Sequence, residues 1–113
     1  MRERFLVETD FLFGLNARDH LYPYVLKILE KHRRREIEIT VSSAASIEAA
    51  LIMLSRKLQL DIVVRALRLM EAKLVEYKVN TYASITLEVI AKALILKMKH
   101  PELTFFDSIH IAL

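Results

Sequence analysis

Glu36-Ile37-Glu38-Ile39-Thr40-Val41 alternates charged or hydroxyl-bearing side chains with β-branched apolar ones. A two-residue period puts every second side chain on one face, so the stretch reads as a half-buried strand. Before it, residues 21–34 carry a helical period. Leu21, Val25, Ile28 and Leu29 share one face, with Lys27, Lys31 and Arg34 opposite. Asp19 is placed to cap that helix, and Pro23 is tolerated in its first turn. Arg33-Arg34-Arg35 closes it, where cations favour the negative end of the helix dipole. Further upstream, the short run from Arg4 to Val7 fits a buried strand and stops at Glu8-Thr9-Asp10. Thr9 and Asp10 are both helix N-caps by type. Phe11-Leu12-Phe13 comes next, and Gly14 and Asn16 keep this helix short.

Downstream, Ser42-Ser43 can cap a helix in which Ile47, Leu51, Leu54 and Leu58 form a core stripe at helical spacing. A brief break near Leu60-Asp61 separates it from a helix over Gln59 to Tyr77, with Val63, Leu67, Met70 and Leu74 on one side. Lys78 to Ile85 reads as a third strand. Thr86 caps the next helix, whose Leu87, Ile90, Ala91, Leu94 and Met98 face inward. His100-Pro101 ends it, because the residue before proline is pushed out of helical space. Thr104 caps Phe105 to Leu113. Strands separated by helical crossovers imply a parallel sheet with helices on its faces.

Composition narrows the function classes. A chain of 113 residues has room for one domain and one core, taken as 1–113. Apolar residues make up 54%, which excludes a disordered tail. One glycine and two prolines argue against an all-β sandwich, which needs frequent turn residues. The absence of cysteine excludes a disulfide framework, a zinc–thiolate cluster and a thiol nucleophile. A net charge of +3 is compatible with a phosphate-backbone partner without establishing one. Two Asn and one Gln among many Arg, Lys and Glu form the pattern of a thermophilic source. No apolar run is long enough for a membrane span. No secretory signal precedes the first strand, so the expected compartment is the cytoplasm. The chain stops at Ile111-Ala112-Leu113, inside an apolar helix, so a longer gene product with further C-terminal strands is expected.

In open parallel sheets, sites form beyond the carboxyl ends of the strands. Three acids fall there: Glu8 after the first strand, Glu48 early in the helix after the second, and Asp107 in the first turn of the last helix. Grouped, they would repel and raise one another's pKa values, and a hard dication such as Mg²⁺ or Mn²⁺ resolves that conflict. Glu8 has the weakest plainer reading, because a charge directly after a buried strand needs a partner; the other acids have plainer ones. Thr104-x-x-Asp107 has capping-box spacing. Glu48 reads as a solvated helix acid favoured by the dipole. Asp10 reads as an N-cap, with a supporting contact to the metal as its other role. His110 reads as a packed, hydrogen-bonded histidine rather than a ligand. Arg33-Arg34-Arg35 reads as a solvated helix end or, alternatively, a phosphate-contacting patch. One glycine cannot make a phosphate-binding loop or a dinucleotide fingerprint.

Three segments carry a family resemblance. Phe5-Leu6-Val7-Glu8-Thr9-Asp10-Phe11-Leu12 resembles the opening motif of PIN domains, where an apolar strand runs into acid-Thr-Asn/Ser/Asp. Val41-Ser42-Ser43-Ala44-Ala45-Ser46-Ile47-Glu48 is similar to the second motif, and Leu103-Thr104-Phe105-Phe106-Asp107-Ser108-Ile109-His110-Ile111-Ala112 to the third. The resemblance implies a three-layer α/β/α fold around a central parallel sheet, and a Mg²⁺- or Mn²⁺-dependent ribonuclease of the kind found as VapC-type toxins. It implies Glu8, Glu48 and Asp107 as catalytic, metal-binding acids, with Thr9 and Asp10 in support. It also implies an RNA substrate, an antitoxin protein as partner and a homodimer. The chain departs from the family in carrying Glu8 where Asp is usual, and in ending before the family's fourth acid.

Two other readings stand beside this one. The chain could be a non-catalytic PIN scaffold that binds RNA or a protein partner. From a different class, it could be a phosphoacceptor domain of the receiver type. That would need a lone Asp ending a middle strand, and Glu48, placed on a helix, does not supply it.

Overall fold

A computed structural model describes residues 2–113. Strands β1 (Glu3–Val7), β2 (Ile37–Ser42) and β3 (Tyr82–Ala83) form one parallel sheet in the order β1-β2-β3. Helices α1 (Thr9–Phe13) and α2 (Tyr22–Arg33) join β1 to β2. Helices α3 (Ser43–Ser55) and α4 (Leu60–Glu76) join β2 to β3, and α5 (Leu87–Lys99) and α6 (Phe105–Ala112) complete the described chain. The chain is therefore a mixed α/β domain with a parallel sheet, in the expected element order.

Register sets the two faces. Phe5 pairs with Ile39 and Val7 with Val41, so these four share one face. On that face Val7, Ile39 and Val41 are buried with Phe11 and Leu12 of α1, Val25 and Leu29 of α2, and Leu74 and Tyr77 at the end of α4. Arg4, Leu6, Glu38, Thr40 and Ser42 point the other way. There Leu6 is 37% exposed, and Arg4 pairs with Glu38 at 3.3 Å. A second apolar cluster joins Ala44 of α3 to Ala93 of α5 and Ile109 of α6.

Two expected core stripes are turned outward. Ile47, Leu51, Leu54 and Leu58 are 40–50% exposed, while Ala44, Ala45, Ala49 and Met53 are buried instead. α3 is apolar around most of its circumference, so period alone does not choose its face. The small alanines win the inner side because they let the helix approach its neighbours closely. α5 is rotated in the same way. Leu87, Leu94 and Met98 are 87%, 48% and 80% exposed and Ala91 is exposed, whereas Ala93 is buried and Ile90 half-buried. α4 keeps its expected face, with Val63 and Leu74 buried and Leu67 and Met70 half-buried.

The caps divide similarly. Thr86 accepts from the Val89 amide at 3.2 Å, and Thr104 and Asp107 form a reciprocal capping box, as the sequence predicts. Thr9 and Asp10 are not caps. The chain enters α1 at Glu8, whose carbonyl accepts from the Phe11 amide at 3.1 Å. Asp19 accepts from the Leu21 amide at 2.9 Å, one step ahead of α2, whose N-cap position is Leu21 itself. Ser42 holds the N-cap position of α3, but its hydroxyl is engaged elsewhere. The break between α3 and α4 falls at residues 56–59, slightly before Leu60-Asp61. The third strand shrinks to two residues because Val79 turns into the core, with its amide bonded to the Leu74 carbonyl at 2.9 Å.

Candidate acidic site at the strand ends

β1 delivers Glu8 and Thr9 just past its C-terminal end, and Ser42 is the last residue of β2. α3 then carries Glu48 in its second turn, and α6 brings back His110. These segments, far apart in sequence, meet through hydrogen bonds. The Thr9 hydroxyl donates to Glu48 Oε1. His110 Nε2 lies 3.4 Å from the same oxygen, and His110 Nδ1 lies 3.0 Å from Ser42 Oγ. An ionised carboxylate only accepts, so Nε2 carries the proton toward Glu48. Nδ1 is left to pair with the Ser42 hydroxyl. Ser42, Thr9 and His110 are all buried, and the Glu48 side chain is 26% exposed. Among the described residues, no buried side-chain nitrogen or oxygen lacks a partner.

The sequence-predicted acids are distributed unevenly around this cluster. Glu48 is at its centre, half-buried and hydrogen-bonded rather than fully solvated, in the second turn of α3. Glu8 is exposed, adjacent in sequence to Thr9. Asp107 is exposed, one turn before His110 on α6, and its Oδ2 accepts from the Thr104 amide at 3.4 Å. Asp10 lines a different cleft, with Asn16, Asp19 and Arg56. Of the expected set, the structure brings Thr9 directly to Glu48. Ser42 is a partner that sequence reading missed. Its pairing with His110, 68 residues away, depends on where α6 returns and has no signal in the local sequence. His110 is the packed, hydrogen-bonded histidine that its apolar surroundings suggest.

The donors suit a hard cation in their chemistry, since carboxylate oxygens are what Mg²⁺ and Mn²⁺ prefer. Their placement does not assemble a site. Among the described residues, no three His, Cys, Asp or Glu side chains stand close enough to share an ion. The Asp107 carboxylate closes its capping box, and Glu48 Oε1 is held by Thr9 and His110.

Fold and site together define a parallel α/β domain with a carboxylate–imidazole–hydroxyl cluster at the carboxyl ends of its strands. No protein-family model, curated protein or solved structure matches this chain. Among the described residues, no helix is long and apolar enough to cross a membrane.

Proposed function

We propose that this chain is a PIN-type ribonuclease domain, the toxin of a toxin–antitoxin pair, acting on RNA phosphodiesters in the cytoplasm. One observation supports this above the rest. The three segments that resemble PIN motifs converge on Glu48, through Thr9 from the first and His110 from the third. In this reading Glu8, Glu48 and Asp107 are the acids for Mg²⁺ or Mn²⁺. Thr9 and His110 fix the orientation of Glu48, and Asp10 lends outer support. The exposed stripe of Ile47, Leu51, Leu54 and Leu58 supports a homodimer or an antitoxin contact, because apolar patches of this kind mark interaction surfaces.

The test is cleavage of labelled single-stranded RNA with Mn²⁺ by the wild type, Glu48→Gln and Asp107→Asn. Loss of cleavage in both variants sustains the reading, and equal cleavage by all three proteins refutes it. A second reading, a non-catalytic PIN scaffold binding RNA or a protein partner, is favoured by the lack of an assembled three-ligand group among the described residues. Calorimetric titration with Mn²⁺ separates the two. The scaffold shows no metal binding that depends on Glu8 or Asp107.

A further inference from the structure

At the opposite end of the sheet, where the strands begin, a cleft of about 310 Å³ gathers Arg2, Arg33, Arg35 and Lys78 around Glu38 and Asn80. We propose that this cleft binds phosphate groups.

The cations are placed there by backbone geometry. α2 and α4 both end in this region, and both end alike. After the Arg34 C-cap, the Arg35 amide bonds to the His32 carbonyl at 3.0 Å and the Glu36 amide to the Lys31 carbonyl at 2.9 Å. After the Tyr77 C-cap, the Lys78 amide bonds to the Val75 carbonyl at 3.0 Å and the Val79 amide to the Leu74 carbonyl at 2.9 Å. Both are Schellman closures, in which the residue after the cap takes left-handed backbone angles and is usually glycine. Here Arg35 and Lys78 each have φ 62°. A side chain in that conformation costs about 1 kcal/mol relative to glycine. α3 ends the same way at Lys57, φ 60°, so the closure alone does not set the cleft apart; what does is that two of these three cations line one cavity.

The charge balance favours an anion. Four cations against Glu38 leave +3 on the lining. The C-terminal ends of α2 and α4 contribute about −0.5 each, which leaves roughly +2. Glu38 is already paired outside the cleft with Arg4 at 3.3 Å. Arg33 is held in place by Glu30 at 2.6 Å and by the Tyr77 ring, 5.0 Å from its guanidinium. Arg35 and Lys78 take part in none of the ion pairs among the described residues. The volume is at the lower end of small-molecule sites, about 300–1,000 Å³, which suits one or two phosphate groups. β2 separates this cleft from the acidic site by about 17 Å, at ~3.3 Å per residue. A phosphate held here is not one under attack at Glu48. The proposal stands without the ribonuclease reading.

The phosphate could belong to a free polyphosphate or to an RNA backbone, and the experiment uses both probes. Binding of pyrophosphate is measured by calorimetry, and of labelled single-stranded RNA by anisotropy across a salt series, both in EDTA so that no metal-dependent cleavage contributes. The informative variant is Arg35→Gly with Lys78→Gly, which removes both charges while giving the backbone the residue it prefers. Arg35→Asn with Lys78→Asn repeats the test with another residue that tolerates this conformation. Lys57→Gly is the control, since Lys57 has φ 60° after α3 but does not line the cleft. We expect about tenfold weaker pyrophosphate binding, or an RNA salt slope lower by about 1.4, at ~0.7 for each lost contact on a single strand. Loss with pyrophosphate assigns free phosphate as a ligand, and loss with RNA assigns the backbone. No loss with either probe, or an equal loss in Lys57→Gly, overturns the proposal.

Discussion

His32→Ala should lower stability by about 2 kcal/mol, because the imidazole replaces a missing rung of the sheet. Val41 donates its amide to the Thr81 carbonyl at 2.9 Å, so odd-numbered residues of β2 face β3. β3 is only Tyr82–Ala83, so it offers nothing to Ile39, two residues earlier. The Ile39 amide donates instead to His32 Nδ1 at 3.1 Å, and His32 Nε2 lies 3.1 Å from the Lys78 carbonyl. An amide can only donate, so Nδ1 is unprotonated and Nε2–H donates to Lys78. Truncation to alanine strands an amide beside a fully buried Ile39 side chain. An orphaned buried donor costs about 1–3 kcal/mol, whereas exposed Lys78 lets water reach its carbonyl, so that loss is near zero. At roughly 4 °C per kcal/mol for a domain of this size, the melting temperature should fall by about 8 °C. Circular dichroism melts measure this, and amide exchange by NMR should show Ile39 losing protection. His32→Gln carries an acceptor and a donor on one planar group and should recover about half of the loss. A His32→Ala melt within about 2 °C of the wild type, or a glutamine variant as damaged as the alanine one, would refute the argument.

Other expectations rest on single contacts. Gly14→Ala should cost about 1–3 kcal/mol in a denaturant melt, since the new Cβ would sit 2.5 Å from Val25 Cγ2. The φ of Gly14 is −67°, so the cause is close approach of α1 to α2 and not backbone conformation. Thr104→Ala should cost about 1 kcal/mol through the lost cap. Asp107→Asn keeps an acceptor for that cap, so it should shift stability by less than about 0.5 kcal/mol, and on the proposed ribonuclease reading it should abolish RNA cleavage. Loss of stability with unchanged cleavage would make Asp107 a cap alone. Ile47→Gln with Leu51→Gln should leave monomer stability within about 0.5 kcal/mol, while Ala49→Leu should cost about 1–3 kcal/mol by overpacking. The reverse ranking in chemical denaturation would restore the stripe to the core. Burial, and then the charge and hydrogen bond of Glu71, raise the Tyr82 pKa above its ordinary value. The folded state therefore keeps this proton longer than the unfolded chain does, so the contribution is present below about pH 10 and is lost as pH rises. Tyr82→Phe should flatten the alkaline fall in stability, and an unchanged pH profile would contradict this.

The parts of the fold that are legible in the sequence are those decided locally. β2 declares itself by alternation, and Thr86 and Thr104 by the apolar helical runs they introduce. Faces are illegible where the sequence is apolar all round. Nothing in the spacing of α3 says that Ala45 and Ala49, rather than Ile47 and Leu51, meet the core; only the available space decides. Side chains that act across long separations are illegible for a different reason. His32 completes a sheet and Ser42 supports His110, and both roles depend on where other elements stop. The acids stand out by position, but their partners require the fold.

Parallel topology itself sorts charge. Each strand in such a sheet feeds a helix N-terminus, and each long helix ends near the start of the next strand. The dipole thus favours acids at one end of the sheet and cations at the other. Glu8 at the entry to α1 and Asp107 in the first turn of α6 have that general cause available. So do Arg33 and Arg34 at the end of α2. The effect fades beyond one turn, so it does not reach Glu48 in the second turn of α3. Burying His110 and Thr9 against that carboxylate requires their polar groups to be satisfied by it, which makes Glu48 the acid whose placement needs a specific explanation. Arg35 and Lys78 raise the same question at the other end. A dipole can be matched from any position in the last turn, without placing a side chain where glycine is preferred. Lys57 takes the same conformation after α3, so it is the meeting of Arg35 and Lys78 in one cleft that exceeds what topology requires; with Glu48 at the other end of the sheet, they are where substitution should separate function from folding.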